Sequence, residues 1–170
     1  IDKKCSPFQI IDNTIADLKT MIEFDIENIN FILNGDKNLE FMNIPSHMHY
    51  IFIEIIKNSI KAIIDDDFKN PNIVIDIEKG DQDLLIRVSD KGIGIDRKMN
   101  DYVFSYMYTS TSNIVKRDNK PVLSGFAHGL GLSKLYANYL GGDIKLISAS
   151  GIGTDVYIHL KTIDQDENIN

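Results

Sequence analysis

Apolar side chains recur at helical spacing through residues 7–26, PFQIIDNTIADLKTMIEFDI, and Pro7 suits the first turn of the helix they predict. The segments INFIL and LEFMNI flank Asn34-Gly35-Asp36, a pattern that predicts a β-hairpin. Ser46, following Pro45, is a candidate cap for a second helix running to about Asp66. NIVIDIEKGDQDLLIRVSD reads as two alternating strands joined at Gly80-Asp81, with a short helical segment after them around Arg97 to Phe104. Residues 109–124, TSTSNIVKRDNKPVLS, are polar and without period, which predicts a long loop. A helix from about His128 to Leu140 stops at Gly141-Gly142. Two last strands, DIKLISAS and TDVYIHLK, flank the turn Gly151-Ile152-Gly153, and a polar tail follows. The pattern predicts one α/β layer structure, with helices on one face of a mixed sheet.

The second helix, HMHYIFIEIIKNSIKAIIDDD, is apolar on nearly every side and should be largely buried. It nevertheless carries His47, Tyr50, Glu54, Lys57, Asn58, Lys61 and Asp65 at steps of three and four, which align them on one face. Burying that stripe against protein is expensive unless every group is paired. A wet or ligand-filled cleft along it resolves the conflict, and a solvated face with ordinary i,i+4 pairs is the plainer reading. Glu54 and Asn58 sit one turn apart. Asn58 offers a neutral oxygen suited to Mg²⁺, an ion that takes few protein ligands. Glu54 is then free to orient or deprotonate an attacking hydroxyl beside a γ-phosphate.

Glycines mark the other candidate positions. VSDKGIGI puts Asp90 at the end of an apolar strand, followed by Gly92 and Gly94. A carboxylate there accepts a hydrogen bond from a base's exocyclic amine, and the glycines let the backbone pass close to the base. A simple strand-ending turn explains the same residues. SGFAHGLGLSKLYANYLGG sets Gly125, Gly129 and Gly131 across a helix entry, where amides attract phosphate; a hinge that only packs the helix is the alternative. It is neither a Walker loop nor a Rossmann motif. His128 is either a phosphate contact or an exposed loop histidine. Thr154, after Gly151-Ile152-Gly153, either offers a hydroxyl toward the base or packs.

Composition narrows the field. The 170 residues are 43% hydrophobic and 25% charged, in the range of a globular domain, and have a net charge of −7. That charge argues against a sequence-independent grip on nucleic acid. A phosphate ligand held by amides and a metal stays open. Cys5 is the single cysteine, which excludes a disulfide scaffold or a Cys-based zinc site. No stretch approaches the ~20 apolar residues of a membrane span, and IDKKCSPF opens the chain without a signal or transit pattern.

The order of these features resembles the GHKL (Bergerat) ATPase fold. That fold is shared by sensor histidine kinases, type II topoisomerases, mismatch-repair ATPases and a heat-shock chaperone. Within it the chain is similar to the mitochondrial pyruvate and branched-chain 2-oxoacid dehydrogenase kinases. IPSHMHYIFIEIIKNSIKA resembles their general-base helix, and FSYMYTST the start of the pyruvate-type ATP lid. YLGGDIKLISASGIGTDVYIHLKTID is similar to the branched-chain ending. The resemblance covers most of residues 5–164. It implies an α/β sandwich with helices on one face of a mixed, mainly antiparallel sheet. It assigns residues 1–164 to an ATP-binding kinase domain and leaves 165–170 as a loose tail.

The resemblance further implies ATP and Mg²⁺ as cofactors, with Glu54 as general base and Asn58 as magnesium ligand. Asp90 would receive the adenine amine, and Lys61, Gly92, Gly94 and Thr154 would join the nucleotide site. Gly125, Phe126, Ala127, His128, Gly129 and Leu130 would wrap the triphosphate. The reaction implied is γ-phosphoryl transfer to a serine on the decarboxylase subunit of a dehydrogenase complex in the mitochondrial matrix, which switches that complex off. The family's N-terminal helical bundle, which docks a lipoyl domain, is not among these residues, nor is a dimer-supporting extension. The expectation is therefore a catalytic domain apart from them, nearly inactive on protein, within a full-length protein that forms a homodimer. Tyr50 stands where many pyruvate-type members have histidine, Lys61 replaces arginine, Ala127 replaces a glycine and Gly131 a proline. Rival readings are a histidine-kinase-type domain, a clamp ATPase and a nucleotide-sensing module without chemistry.

Overall fold

The computed structural model describes residues 3–22, 26–100, 103 and 126–162. Eleven elements are defined among them: β1 (Lys3–Cys5), α1 (Pro7–Met21), β2 (Asn30–Asn34), β3 (Phe41–Asn43), α2 (Pro45–Asp65), β4 (Asn72–Lys79), β5 (Asp83–Asp90), α3 (Arg97–Asn100), α4 (Phe126–Tyr139), β6 (Asp143–Ala149) and β7 (Gly153–Lys161). The main sheet runs β2-β4-β5-β7-β6, and β1 pairs with β3 in a separate two-stranded sheet.

Period-two alternation decides which face of the sheet is covered. Ile73, Ile75 and Ile77 of β4, Leu84, Ile86 and Val88 of β5, and Val156, Ile158 and Leu160 of β7 are all buried. Their neighbours in sequence point the other way, where the register sets Asp76 against Arg87; the two form an ion pair, with Arg87 Nε 2.9 Å from Asp76 Oδ2. Helices α1, α2 and α4 cover the inner face, and Ile51, Phe52, Ile55, Ile56, Ile60 and Ile63 of α2 form the centre of the core.

The β4–β5 hairpin is as its alternation predicts, and so is the β6–β7 pair. The expected hairpin around Asn34-Gly35-Asp36 does not form. β2 pairs in parallel with β4 from Asn30↔Asn72 to Asn34↔Asp76, whereas β3 pairs with β1. A parallel neighbour needs a crossover, and α2 supplies it. The turn signal at Gly35 is real (φ 135°), but it redirects the chain between sheets.

The helix ends differ from expectation in detail. Ser6 caps α1 by accepting the Gln9 N–H at 3.3 Å, and the helix stops at Met21, five residues before the end its periodicity suggests. Ser46 is not the cap of α2: Ile44 takes that position without a side-chain bond, and Pro45 occupies the first turn. The Ile44 N–H is instead satisfied by the buried Asn43 side chain at 2.7 Å. After Asp65 the chain turns out through Asp67 and Phe68, both with positive φ. α4 begins at Phe126, two residues earlier than its pattern predicts. The loop at 109–124, the tail from 165, and Phe104 lie outside the described residues.

Candidate functional site

A cavity of about 390 Å³ opens between α2, the segment following β5, and the adjoining ends of β6 and β7. Helix α2 contributes Ile55, Asn58, Ser59, Lys61, Ala62 and Asp65 to its wall. Asp90, Ile93, Gly94, Ile95, Asp96, Met99 and Val103 follow from β5 and beyond, with Leu130 from α4, Leu146 from β6, and Thr154 and Val156 from β7. Most of the wall is apolar, with a few polar groups at defined places, the usual make-up of a small-molecule site.

Asp90 is the deepest charged group there, 3% exposed at the end of β5 and opposite Thr154 on β7. Its Oδ1 accepts the Gly92 N–H at 3.0 Å, and Ser59 of α2 and the Thr154 backbone lie near enough to favour the charged carboxylate. Burial pushes its carboxyl above the usual range and Asp155 adds to that, while the Gly92 N–H, Ser59 and the Thr154 backbone pull it back. Thr154 Oγ1 lies 2.7 Å from Ser148 Oγ. Ser148 in turn accepts the Ile95 N–H at 2.8 Å and donates to the Gly153 carbonyl at 3.1 Å, tying the turn after β5 to the β6–β7 hairpin.

The glycines have separate explanations. A Cβ on Gly92 would lie 2.7 Å from Ala62 Cβ, and the Ile93 N–H donates to the Ala62 carbonyl at 3.1 Å. Gly92 therefore lets the strand end seat against α2, and it does not line the cavity. Gly94 does line it, with φ 67° and the Ala149 carbonyl against the place a Cβ would occupy.

Glu54 is 8% exposed and lies outside the cavity wall. Its Oε1 is held by Lys57 Nζ at 2.8 Å. Its Oε2 is buried without a hydrogen-bond partner among the described residues and faces Gly129, where a Cβ would overlap it. Tyr50, one turn earlier, makes an edge contact with Tyr136, and His47 stacks on the same ring at 4.6 Å between centroids. Burial first, and then the Glu54 and Tyr136 charges, hold the Tyr50 phenol above its usual value. The polar stripe of α2 therefore divides. Asn58, Lys61 and Asp65 face the cavity, with Lys61 and Asp65 paired at 2.6 Å, whereas His47, Tyr50 and Glu54 face α4.

Of the residues singled out in the sequence, Asn58, Lys61, Asp90, Gly94, Leu130 and Thr154 come together around one cavity. Glu54, Gly92 and Gly129 adjoin it as described. Phe126, Ala127 and His128 form the first turn of α4. Gly125 lies outside the described residues. Sequence reasoning missed Ser59 and the apolar wall of Ile93, Ile95, Met99, Leu146 and Val156, and also Ser148, which bonds Thr154 behind the wall. The apolar residues carry the same alternation as core positions, so periodicity does not separate wall from core. The one available signal for Ser59 was its place beside Asn58 on a helix already suspected of lining a site.

The family of histidine kinase-, DNA gyrase B- and HSP90-like ATPases matches residues 43–163. Along nearly its whole length the chain is also similar to mitochondrial pyruvate dehydrogenase (acetyl-transferring) kinases. It is 37% identical to that of Schizosaccharomyces pombe over 96% of this chain and 42% of that protein. With that of Arabidopsis thaliana it shares 34% over 98% and 49% respectively. With isozyme 4 of Homo sapiens it shares 34% over 77% and 33%. The chain thus spans less than half the length of these relatives. Its mixed, mostly antiparallel sheet covered by helices is the α/β sandwich of that ATPase class. The chain belongs to the histidine kinase-, DNA gyrase B- and HSP90-like ATPase family, and its kinship there is with the mitochondrial pyruvate dehydrogenase kinases.

Proposed function

We propose that this chain is the ATP-binding catalytic domain of a protein-serine kinase that phosphorylates, and so switches off, the decarboxylase subunit of a mitochondrial 2-oxoacid dehydrogenase complex. The pyruvate complex is favoured over the branched-chain one because the similar proteins are pyruvate dehydrogenase kinases. The observation that carries the reading is the arrangement on α2: Asn58 faces an apolar cavity floored by Asp90, and Glu54, one turn away, keeps a buried carboxylate oxygen with no hydrogen-bond partner among the described residues.

The apolar walls suit a purine ring, and Asp90 accepts its exocyclic amine. The amides at the start of α4, from Phe126 to Leu130 with His128 among them, would meet the phosphates, with Gly125 assigned to the same role from the sequence. Asn58 would hold Mg²⁺ through its side-chain oxygen. Among the described residues no three His, Cys, Asp or Glu side chains cluster into a metal cage, and an ion that shares its shell with phosphates and water needs none. Bound there, the metal would neutralise charge on the phosphate oxygens during transfer. Glu54 takes the proton from the attacking serine hydroxyl at Oε2 while Lys57 fixes Oε1.

Replacing Glu54 with Gln separates these roles. In the full-length kinase, Mg·ATP affinity by calorimetry stays near wild type while phosphoryl transfer to the decarboxylase subunit falls by about 10²–10⁴. Transfer at the wild-type rate would show that Glu54 is not the base.

A further inference from the structure

We propose that Ser148 is a positioning residue that sets base selectivity: it takes the proton of the Thr154 hydroxyl, so that Thr154 faces the cavity as a hydrogen-bond acceptor beside Asp90. The site then favours a base bearing an exocyclic amine over one bearing a carbonyl at that position. The inference rests on the nucleotide reading above and deepens it.

The protons around Ser148 give the bond its direction. A hydroxyl has one hydrogen to donate and two lone pairs with which to accept. The Ser148 oxygen meets the Ile95 N–H at 2.8 Å, the Gly153 carbonyl at 3.1 Å and the Thr154 hydroxyl at 2.7 Å. An N–H only donates and a carbonyl only accepts, so the Ser148 hydrogen goes to Gly153 and one lone pair to Ile95. The contact with Thr154 is then satisfied with Thr154 as the donor. The reverse direction sets a Ser148 lone pair against the Gly153 carbonyl oxygen at 3.1 Å. Backbone holds Ser148 in this place, because the Gly151 N–H also donates to the Ile93 carbonyl at 2.7 Å, a second tie between the same turn and hairpin.

With its hydrogen committed, Thr154 has only lone pairs left for a ligand. Thr154 is 9% exposed and lines the cavity. The register sets it opposite Asp90, so the two side chains leave the same face of the sheet. An exocyclic amine carries two hydrogens, one for each of these acceptors. A carbonyl in the same place meets oxygen lone pairs on both sides. Without the Ser148 hydroxyl, the Thr154 hydrogen is released to turn into the cavity and meet that carbonyl.

Adenosine and inosine triphosphates differ at that group, so the test is calorimetry of both, with Mg²⁺. The proteins compared are the wild type, Ser148→Ala, Ser148→Thr, Thr154→Val and the double variant Ser148→Ala/Thr154→Val. The wild type prefers the adenine nucleotide. Ser148→Ala loses about tenfold of that preference through tighter inosine binding, and Ser148→Thr, which keeps a hydroxyl, retains it. Thr154→Val loses a similar share through weaker adenine binding, and adding Ser148→Ala to it changes the ratio no further. An unchanged ratio in Ser148→Ala, an equal loss for both nucleotides, or a further fall in the double variant overturns the role of Ser148 and leaves the nucleotide reading standing. Should Ser148→Ala not fold, a wild-type ratio in Thr154→Val overturns that role by itself. A cooperatively melting wild type that binds neither nucleotide removes the nucleotide reading, and the Ser148 inference with it.

Discussion

Asp90 illustrates how a single residue sets function against stability. Folding moves it from water to a 3% exposed position, and burial raises its carboxyl above the ordinary range. The folded chain therefore holds this proton more tightly than the unfolded chain. Linkage then gives the sign: the group's contribution to stability falls as pH rises through its folded-state value and is regained below it. Replacing Asp90 with Asn should raise the melting temperature at neutral pH, and the gain should vanish in acid. The same change should weaken ATP binding roughly tenfold to hundredfold, because an amide in place of the carboxylate removes a charged acceptor. Melting curves across pH, run beside calorimetry, check both halves. A variant that melts lower at neutral pH would refute the sign. Asp90 was legible in the sequence because a carboxylate between an apolar strand and two glycines is an unusual place for a charge. Ser59 was not, since a serine within an apolar helix carries no mark of the group it will lie near.

At the level of elements, the approach of α2 to α4 governs the site. Gly129 leaves room for Glu54 Oε2, and aromatic contacts among His47, Tyr50 and Tyr136 continue the same seam. A methyl at position 129 must displace either the carboxylate or the start of α4. Gly129→Ala should thus lower stability by about 1–3 kcal/mol and depress phosphoryl transfer in the full-length kinase. Full activity with an unchanged denaturation midpoint would contradict this contact. The end of α2 makes a prediction of opposite sign. Asp67 is exposed and held at φ 53°, a conformation that disfavours side chains with a Cβ. Asp67→Gly should stabilise by up to ~1 kcal/mol in urea denaturation, with binding unaffected. Glycine stops and turns were readable from local sequence at this scale. The pairing of β2 was not, because its partner β4 lies across a whole helix in the chain.

For the molecule as a whole, the cavity joins α2, the turn after β5, the β6–β7 hairpin and α4, so a ligand there ties most of the sandwich together. Binding to the folded form alone should stabilise by about 2.7 kcal/mol at a hundred times Kd, which is roughly 5–10 °C for a chain of this size. Mg·ATP should produce that shift. Metal-free ATP should produce less, and Asn58→Ala should remove the difference between the two. A metal-dependent shift that survives intact in Asn58→Ala would exclude that residue as the ligand.

What the sequence alone determined was local. Alternation marked the strands of the β4–β5 and β6–β7 hairpins. Helical spacing marked α1, α2 and α4, and glycines marked the breaks, because each depends on residues within one or two turns of one another. The order of acidic, amide and glycine positions also identified the ATPase class, since those groups keep their sequence order whatever the packing. Tertiary structure alone decided which sheet β2 and β3 would join, how the α2 stripe would divide between cavity and α4, and which buried groups surround Asp90. Each of those outcomes depends on segments far apart in the chain coming together: β2 with β4, Glu54 with Gly129, Ser59 with Asp90. Local periodicity shows that a side chain must be buried or satisfied, and only the packed fold settles by what.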